Sequence, residues 1–472
     1  LGDVYKRQGK RYKHNQGGKE AVRRFEEMLK NGENLFFDLN VFEEIIEHYI
    51  EAGKYKKAST VCDMAMSQYP FSTELLIQKA HLLIRKEEFT EAWDLLEKAE
   101  LFQPNEPDVV LLKSNILCQE EKFEEAIQYL EKVLDMVEEK DEIYFAMGMT
   151  FQDWGKLEEA IEVYKKAIDL NLNNEDALYE LAYCLDVTGQ LEQSVDFYQK
   201  FIDNDPYSDF AWYNMGIVYF KLEEYEKAIK AYEYAVTINE NFSSAYFNMG
   251  NCYLNSNNFE KAIECFQRTQ ELEDPSADVL CNMGVCYERM GKFTKAIECY
   301  KKATKLDNMY HEAWYGLGKC MEGQDKSYES IHFFKKALKL DKENPVYWLA
   351  TANAEYKTGN LVSCLEAYEE ACVLDPFNTE VWQNWSFVHY ENGEVDRAIS
   401  LIMSAIDEMP DNAELYYRAT VYLLNAGRYK EAFTYLENGL VLDFDKHAVL
   451  FDFFPKLETQ KALLKIIDQY RK

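Results

Sequence analysis

The chain has 472 residues, 47% of them hydrophobic, and a net charge of −32. That apolar content is too high for a disordered chain, and no run approaches the roughly 18 apolar residues that a membrane span needs. So acidic a surface repels nucleic acid and anionic lipid, which disfavours both as general partners.

The charge is uneven. Residues 1–24 hold eight Lys/Arg against Asp3 and Glu20, a net of +6, leaving −38 for the remainder. The chain opens LGDVYKRQ, with Leu1 rather than Met, which reads as a misread or truncated start without structural weight. Residues 1–17 are expected to be a basic flexible segment, and residues 1–20 lack the apolar stretch of a secretory signal. Residues 18–38 predict an N-terminal capping helix, with Ala21, Phe25, Met28 and Leu29 at helical spacing.

From residue 39 the chain repeats every 34 residues. With Gly216 at position 8, units start at 39, 73, 107, 141, 175, 209, 243, 277, 311, 345, 379 and 413, with no insertion or deletion. Position 4 is large and apolar throughout, from Phe42 and Leu76 to Trp382 and Tyr416. Position 20 is always small: Ala, or Ser194, Ser330 and Cys364. Position 8 is Gly at 148, 216, 250, 284 and 318, and Ala, Ser or Thr in every other unit but that of Ile46. The pattern predicts two antiparallel amphipathic helices per unit, approaching closely at positions 8 and 20. Gly near position 15 closes the first helix with positive φ, and Pro at position 32, as in Pro206 and Pro376, stops the second. A lone unit cannot bury its apolar face, so the units stack.

After the repeats, residues 447–472 predict capping helices. A first helix begins at 447 and should break at Pro455; KLETQKALLKIIDQYRK then puts Leu457, Leu464 and Ile467 near one face. The alternative use of that face is a contact between chains.

At the aromatic–Leu/Met–Gly–Tyr run and the Ala-Ile…Tyr…Ala…Pro run, the chain resembles the tetratricopeptide repeat family. The resemblance spans residues 39–446 in twelve units. It implies an all-α fold, a right-handed α-solenoid or superhelix, whose groove is lined mainly by first helices and holds extended peptides.

Eleven scattered cysteines without a CxxC read as small, reduced core residues, which implies a reducing compartment, the cytoplasm. The seven histidines are dispersed, and no GxxxxGK[ST], HExxH or GxSxG occurs. The segments outside the repeats are too short for a catalytic domain. No catalytic residue, metal site or cofactor is expected.

Asn-Met-Gly returns at Asn214, Asn248 and Asn282, and position 6 is Asn again at Asn384. Family geometry turns position 6 toward the groove. An amide offers one acceptor and two donors, suited to both groups of an extended peptide backbone. The arrangement is similar to the asparagine ladder in the repeat region of O-linked N-acetylglucosamine transferase, although this chain lacks a transferase domain. Gly316, Ala350 and Glu180 interrupt it. The plainer role is a solvated consensus asparagine. Asn251 would add an amide, and Tyr213, Phe220, Phe247 and Phe210 would add aromatic surface. Position 2 is acidic in eight units, which would steer a basic segment or simply complement helix dipoles. A Lys/Asn clamp for an acidic C-terminal peptide does not fit, because position 5 never holds Lys.

The expected function is a non-catalytic scaffold that holds an extended protein or peptide segment, with a basic segment as one candidate. The alternatives are an assembly subunit acting through its outer face or C-terminal cap, and a groove-built transferase.

Overall fold

The computed structural model describes residues 16–31, 36–104, 106–137, 140–453 and 461–470. The basic residues before 16, Pro455 and Leu457 lie outside the described residues. The chain divides into two compact units, residues 1–224 and 225–472.

In the first unit, α1 (Gln16–Asn31) precedes the pairs α2 (Leu39–Glu51) and α3 (Tyr55–Gln68), α4 (Thr73–Ile84) and α5 (Phe89–Phe102), and α6 (Pro107–Gln119) and α7 (Phe123–Val133). The pairs α8 (Lys140–Asp153) and α9 (Leu157–Leu170), and α10 (Glu175–Val187) and α11 (Glu192–Asn204), come next, and α12 (Asp209–Lys221) ends the unit. The second unit opens with α13 (Tyr225–Ile238). Its pairs are α14 (Ser243–Asn255) and α15 (Phe259–Leu272), α16 (Ala277–Arg289) and α17 (Phe293–Leu306), and α18 (His311–Glu322) and α19 (Ser327–Leu340). Then come α20 (Pro345–Lys357) and α21 (Leu361–Leu374), α22 (Thr379–Glu391) and α23 (Val395–Glu408), and α24 (Ala413–Asn425) and α25 (Tyr429–Leu442). A 3-10 turn at Asp445–Ala448, α26 (Val449–Phe453) and α27 (Lys461–Tyr470) close the described chain.

Each unit is an all-α solenoid of stacked helix pairs. Within a pair the two helices pack together, and first helices also meet the first helix of the next pair, as α4 meets α6 in the first unit and α16 meets α18 in the second. The small residues at position 20, from Ala58 to Ala432, are all 0% exposed, so close helix approach rests on them. Gly148, Gly250, Gly284 and Gly318, all at position 8, face an aromatic ring sixteen residues on: a Cβ at Gly148 would lie 2.3 Å from Tyr164, and one at Gly284 would lie 2.6 Å from Tyr300.

The turns obey one rule. Position 15 has positive φ at Gly53, Gly155, Gly189, Gly291, Gly359, Gly393 and Gly427, and equally at Glu87, Glu121, Glu223, Asn257 and Asp325. The left-handed turn is therefore imposed by the helix pair, not licensed by glycine. Apart from α7, which stops at Val133, second helices end at position 30 with or without a nearby proline: α13 stops at Ile238 without one, as α11 stops at Asn204 before Pro206. Position 34 then serves as the N-cap of the next first helix. Ser72, Asn174, Ser208, Asn344, Asn378 and Asn412 each accept a backbone N–H there. Each tryptophan at position 4 of a first helix ties this junction, its indole N–H donating to the carbonyl six residues back: Trp212 to Pro206 (3.1 Å), Trp314 to Asn308 (3.0 Å), Trp348 to Lys342 (2.8 Å) and Trp382 to Pro376 (2.8 Å).

All eleven cysteines are free thiols, ten of them buried and Cys118 half-buried. At the C-terminal end α27 packs on α25 with Leu463 and Ile467 buried, while Leu464 is 37% exposed. The buried stripe is thus one residue out of the register expected for Leu464. Among the described residues, no helix is long and apolar enough to cross a membrane.

Candidate interaction surface on the first helices

Neighbouring first helices run alongside one another, so a residue on one faces fixed positions on the next. In the second unit two sequence separations recur among the polar contacts. At 31 residues, position 9 meets position 6 of the following repeat: Asn282 Nδ2 donates to Asn251 Oδ1 at 2.9 Å, and Asn384 Nδ2 donates to Asn353 Oδ1 at 3.2 Å. At 35 residues, position 12 meets position 13: Lys357 bonds Glu322 at 2.7 Å, and Tyr356 donates to Glu391 at 2.8 Å. The two separations differ by one helical turn, as two rows on a shared face must. The first unit shows the 35-residue link as Lys221–Asp186.

The two asparagine couples have the same polarity. In each, the later amide donates and the earlier carbonyl accepts. Asn353 Oδ1 also accepts from Tyr368, at 2.6 Å, and Asn384 Nδ2 reaches Glu380 at 3.5 Å. Among the described residues, no further bond engages the Nδ2 of Asn251 or Asn353, or the Oδ1 of Asn282 or Asn384. Each couple thus keeps one donor group and one acceptor group outside its mutual bond.

The expectation of a ladder of independent amides needs correction at Asn214. That residue is 5% exposed, and its Nδ2 donates to the Phe210 carbonyl of its own helix at 2.9 Å. The cause is legible at the 31-residue separation. The residue there is Tyr183, which offers no amide carbonyl, so Asn214 turns back on α12. Asn248 is half-buried. Asn282 and Asn251 are brought together as one couple rather than two rungs. The break at position 6 of the next repeat is steric: a Cβ on Gly316 would lie 2.3 Å from the Tyr300 ring, which stands where an asparagine would begin.

The predicted aromatics are half-buried rather than displayed. Phe210 packs against the core around Leu178, Leu181 and Tyr198. Phe247 lies 5.8 Å from the Phe266 ring. Tyr213 and Phe220 are likewise half-buried on α12. Among the described residues, the aromatic side chains that stand out on a first helix are Tyr179 and Tyr183 of α10, 52% and 50% exposed. They occupy positions 5 and 9, one repeat before the asparagine motif, in a unit whose position 6 is Glu180.

The acidic column at position 2 is divided in its use. Glu74 accepts from Ser72 at 2.9 Å, and Glu414 pairs with Lys446 at 2.9 Å, so both are tied into the fold. Asp176 is exposed, with burial by its neighbours raising its pKa. Beside it, Glu180 takes a hydrogen bond from Gln152 Nε2 at 2.9 Å, and Gln152 is itself held by the buried Tyr164 hydroxyl at 2.9 Å. Desolvation raises the Glu180 pKa, and the charges of Asp176 and Asp153 raise it further.

The histidines stay apart. His389 is buried and bonds Glu394 at 2.7 Å; His311 bonds the Tyr347 hydroxyl at 2.8 Å. Among the described residues, no three His, Cys, Asp or Glu side chains converge on a metal-sized site.

Family models described as "Tetratricopeptide repeat" match residues 176–208, 210–242, 243–274, 277–310 and 311–344, and one described as "TPR repeat" matches residues 153–185. Comparison with curated proteins finds no match. Among solved structures, the anaphase-promoting-complex hetero-tetramer Cut9–Hcn1 is similar at 14% identity and a TM-score of 0.43, over 86% of this chain and 93% of that one. A tetratricopeptide repeat protein from Parabacteroides merdae ATCC 43184 gives 15% identity and a TM-score of 0.44, over 52% of this chain and 98% of that one. YrrB, described as a TPR protein with an unusual peptide-binding site, gives 17% identity and a TM-score of 0.32, over 39% and 94%. With helix pairs stacked at a 34-residue period and repeat models matching from residue 153 to residue 344, the chain is a tetratricopeptide repeat protein.

Proposed function

We propose that this protein is a non-catalytic interaction scaffold that holds an extended segment of a partner protein along its first helices. Repeats of this family support a protein-interaction scaffold. The observation favouring the first-helix face is the recurrence of one amide couple, Asn251–Asn282 and Asn353–Asn384, in the same orientation. Each couple retains a donor on one side chain and an acceptor on the other. An extended peptide unit offers the matching carbonyl and N–H. Because the contact is to main chain, the scaffold would accept varied sequences, and side-chain contacts beside each couple would set preference.

Mutual bonding within a couple fixes both side chains before a ligand arrives. Less rotamer freedom is then lost on binding than with two solvated asparagines. Phe247, beside the first couple on α14, and Tyr356 and Phe387, beside the second, supply apolar surface; the last two rings lie 6.4 Å apart.

The test is affinity for a partner captured with the full chain. The variant Asn251→Ala/Asn282→Ala/Asn353→Ala/Asn384→Ala should lose that partner while keeping its far-ultraviolet circular dichroism. Removal of a hydrogen-bonding pair is worth about 0.5–1.5 kcal/mol, so each couple should weaken binding by roughly threefold to tenfold. Asn214→Ala should leave affinity unchanged, because its amide is committed to α12. Equal affinity in wild type and the fourfold variant would refute the amide reading and turn attention to the second-helix face.

A further inference from the structure

The α8–α10 face of the first unit differs in chemistry from the amide couples. Tyr179 and Tyr183 stand four residues apart on α10, so both rings lie on one side of the helix, each half exposed. Carboxylates flank them. Asp176 is one turn before Glu180 on α10, and Asp153 sits at the end of α8. Glu180 is not a loose surface acid: the Tyr164 hydroxyl fixes Gln152, and Gln152 fixes one Glu180 oxygen. The relay is neutral throughout, so it orients the carboxylate without cancelling its charge. Among the described residues, no lysine or arginine pairs with Asp153, Asp176 or Glu180; Lys221, on the neighbouring α12, is taken by Asp186.

Like charges held together on a face with half-exposed aromatic rings are destabilising by themselves and favour a cation supplied from outside. A lysine or arginine side chain fits both features, its apolar stem or guanidinium plane over a tyrosine ring and its charge against the carboxylates. We propose that the α8–α10 face docks a lysine- or arginine-bearing extended segment of a partner protein, with the cationic side chains over Tyr179 and Tyr183 and against Asp153, Asp176 and Glu180. The proposal rests on the reading of first helices as the interaction surface, and adds the charge of the ligand and a second location for it.

The experiment is fluorescence anisotropy with the full chain and two short labelled peptides, one alternating Lys with Ser and the other Glu with Ser. The basic peptide should bind, more weakly as salt rises, and the acidic one should not. Asp176→Asn/Glu180→Gln and Tyr179→Ala/Tyr183→Ala should each weaken the basic peptide about tenfold. Tyr179→Phe/Tyr183→Phe keeps the ring faces and should retain most of the binding. Glu158→Gln/Glu159→Gln changes the net charge equally on exposed positions of α9 and should have little effect. Equal weakening by both carboxylate pairs would mean diffuse attraction to an acidic protein and would overturn the proposal, as would absence of binding at low salt. Binding lost in Asn251→Ala/Asn282→Ala but kept in Asp176→Asn/Glu180→Gln would also overturn it, while leaving the scaffold reading intact.

Discussion

Gly318→Ala tests the packing rule on which the helix pairs depend. A Cβ at 318 would lie 2.4 Å from both Cδ1 and Cε1 of Phe334, a ring that is 0% exposed. Carbon atoms rest about 3.5–4.0 Å apart, so the ring or the helix must shift by about 1 Å or more. Phe334 cannot easily do so, because Ala350 and Ala354 of α20 back it and are themselves buried. Overpacking costs about 1–3 kcal/mol; an overlap of about 1 Å against a backed ring belongs to the upper part of that range, about 2–3 kcal/mol, and alanine returns about 1 kcal/mol of helix propensity, which leaves a net loss of about 1–2 kcal/mol. Ala182 opposite Tyr198 and Ala352 opposite Tyr368 show that a helix pair can be built around the extra methyl, which favours the lower end. A solenoid opens regionally, so the readout is hydrogen exchange of peptides from residues 311–340 rather than a global melt. Exchange in α18 and α19 should quicken roughly fivefold to thirtyfold. Adding Phe334→Leu, which copies the Ala80–Leu96 pairing, should restore part of the protection. Unchanged or slower exchange in Gly318→Ala, or a double variant worse than the single one, would refute the size rule.

The same geometry gives two further outcomes. Glu121 holds φ of 59° in the left-handed region, where a side chain costs about 1–2 kcal/mol; Glu121→Gly should slow exchange in α6 and α7 despite the extra freedom of an unfolded glycine, for a net gain of about 1 kcal/mol or less. Burial raises the Glu288 pKa above 4.5, against an opposing hydrogen bond from Tyr300. The folded state then holds its proton more tightly than the unfolded chain, so this group's contribution to stability is present below pH 4.5 and is lost as pH rises through the raised value. Glu288→Gln keeps an acceptor for Tyr300 and should flatten that slope in urea unfolding at a series of pH values; a slope identical to wild type would remove Glu288 as its source.

The repeat period, the small column at position 20 and the large column at position 4 were legible because each depends on contacts inside a helix pair, which recur at fixed positions. The positive φ at Gly53 or Gly155 was legible for the same reason. The matching turns at Glu87 and Glu223 were not, because no local residue signals a conformation that the helix pair enforces. The asparagines show the limit for the site. Which amides form couples depends on the residue 31 positions earlier, hence on the offset between neighbouring helices, and that offset is displayed only once the helices are placed. Asn282 has Asn251 there and joins a couple; Asn214 has Tyr183 and folds back. Exposed Tyr179 and Tyr183 were missed because Glu180 had marked that repeat as an interruption.

The polar links and the packing contacts answer to different neighbours, and this bears on how such a chain can change over generations. The Gly318–Phe334 fit is made inside one helix pair, so duplication or loss of a whole 34-residue segment carries it along intact. The Asn353–Asn384 couple and the Lys357–Glu322 bridge join different pairs, so the same event severs them or sets them beside strangers. Lengthening the array therefore preserves folding at once but scrambles the polar pattern of the first-helix face at the seam, where point substitutions must rebuild it. Array length and the polar pattern of the first-helix face can thus be altered by separate kinds of genetic event.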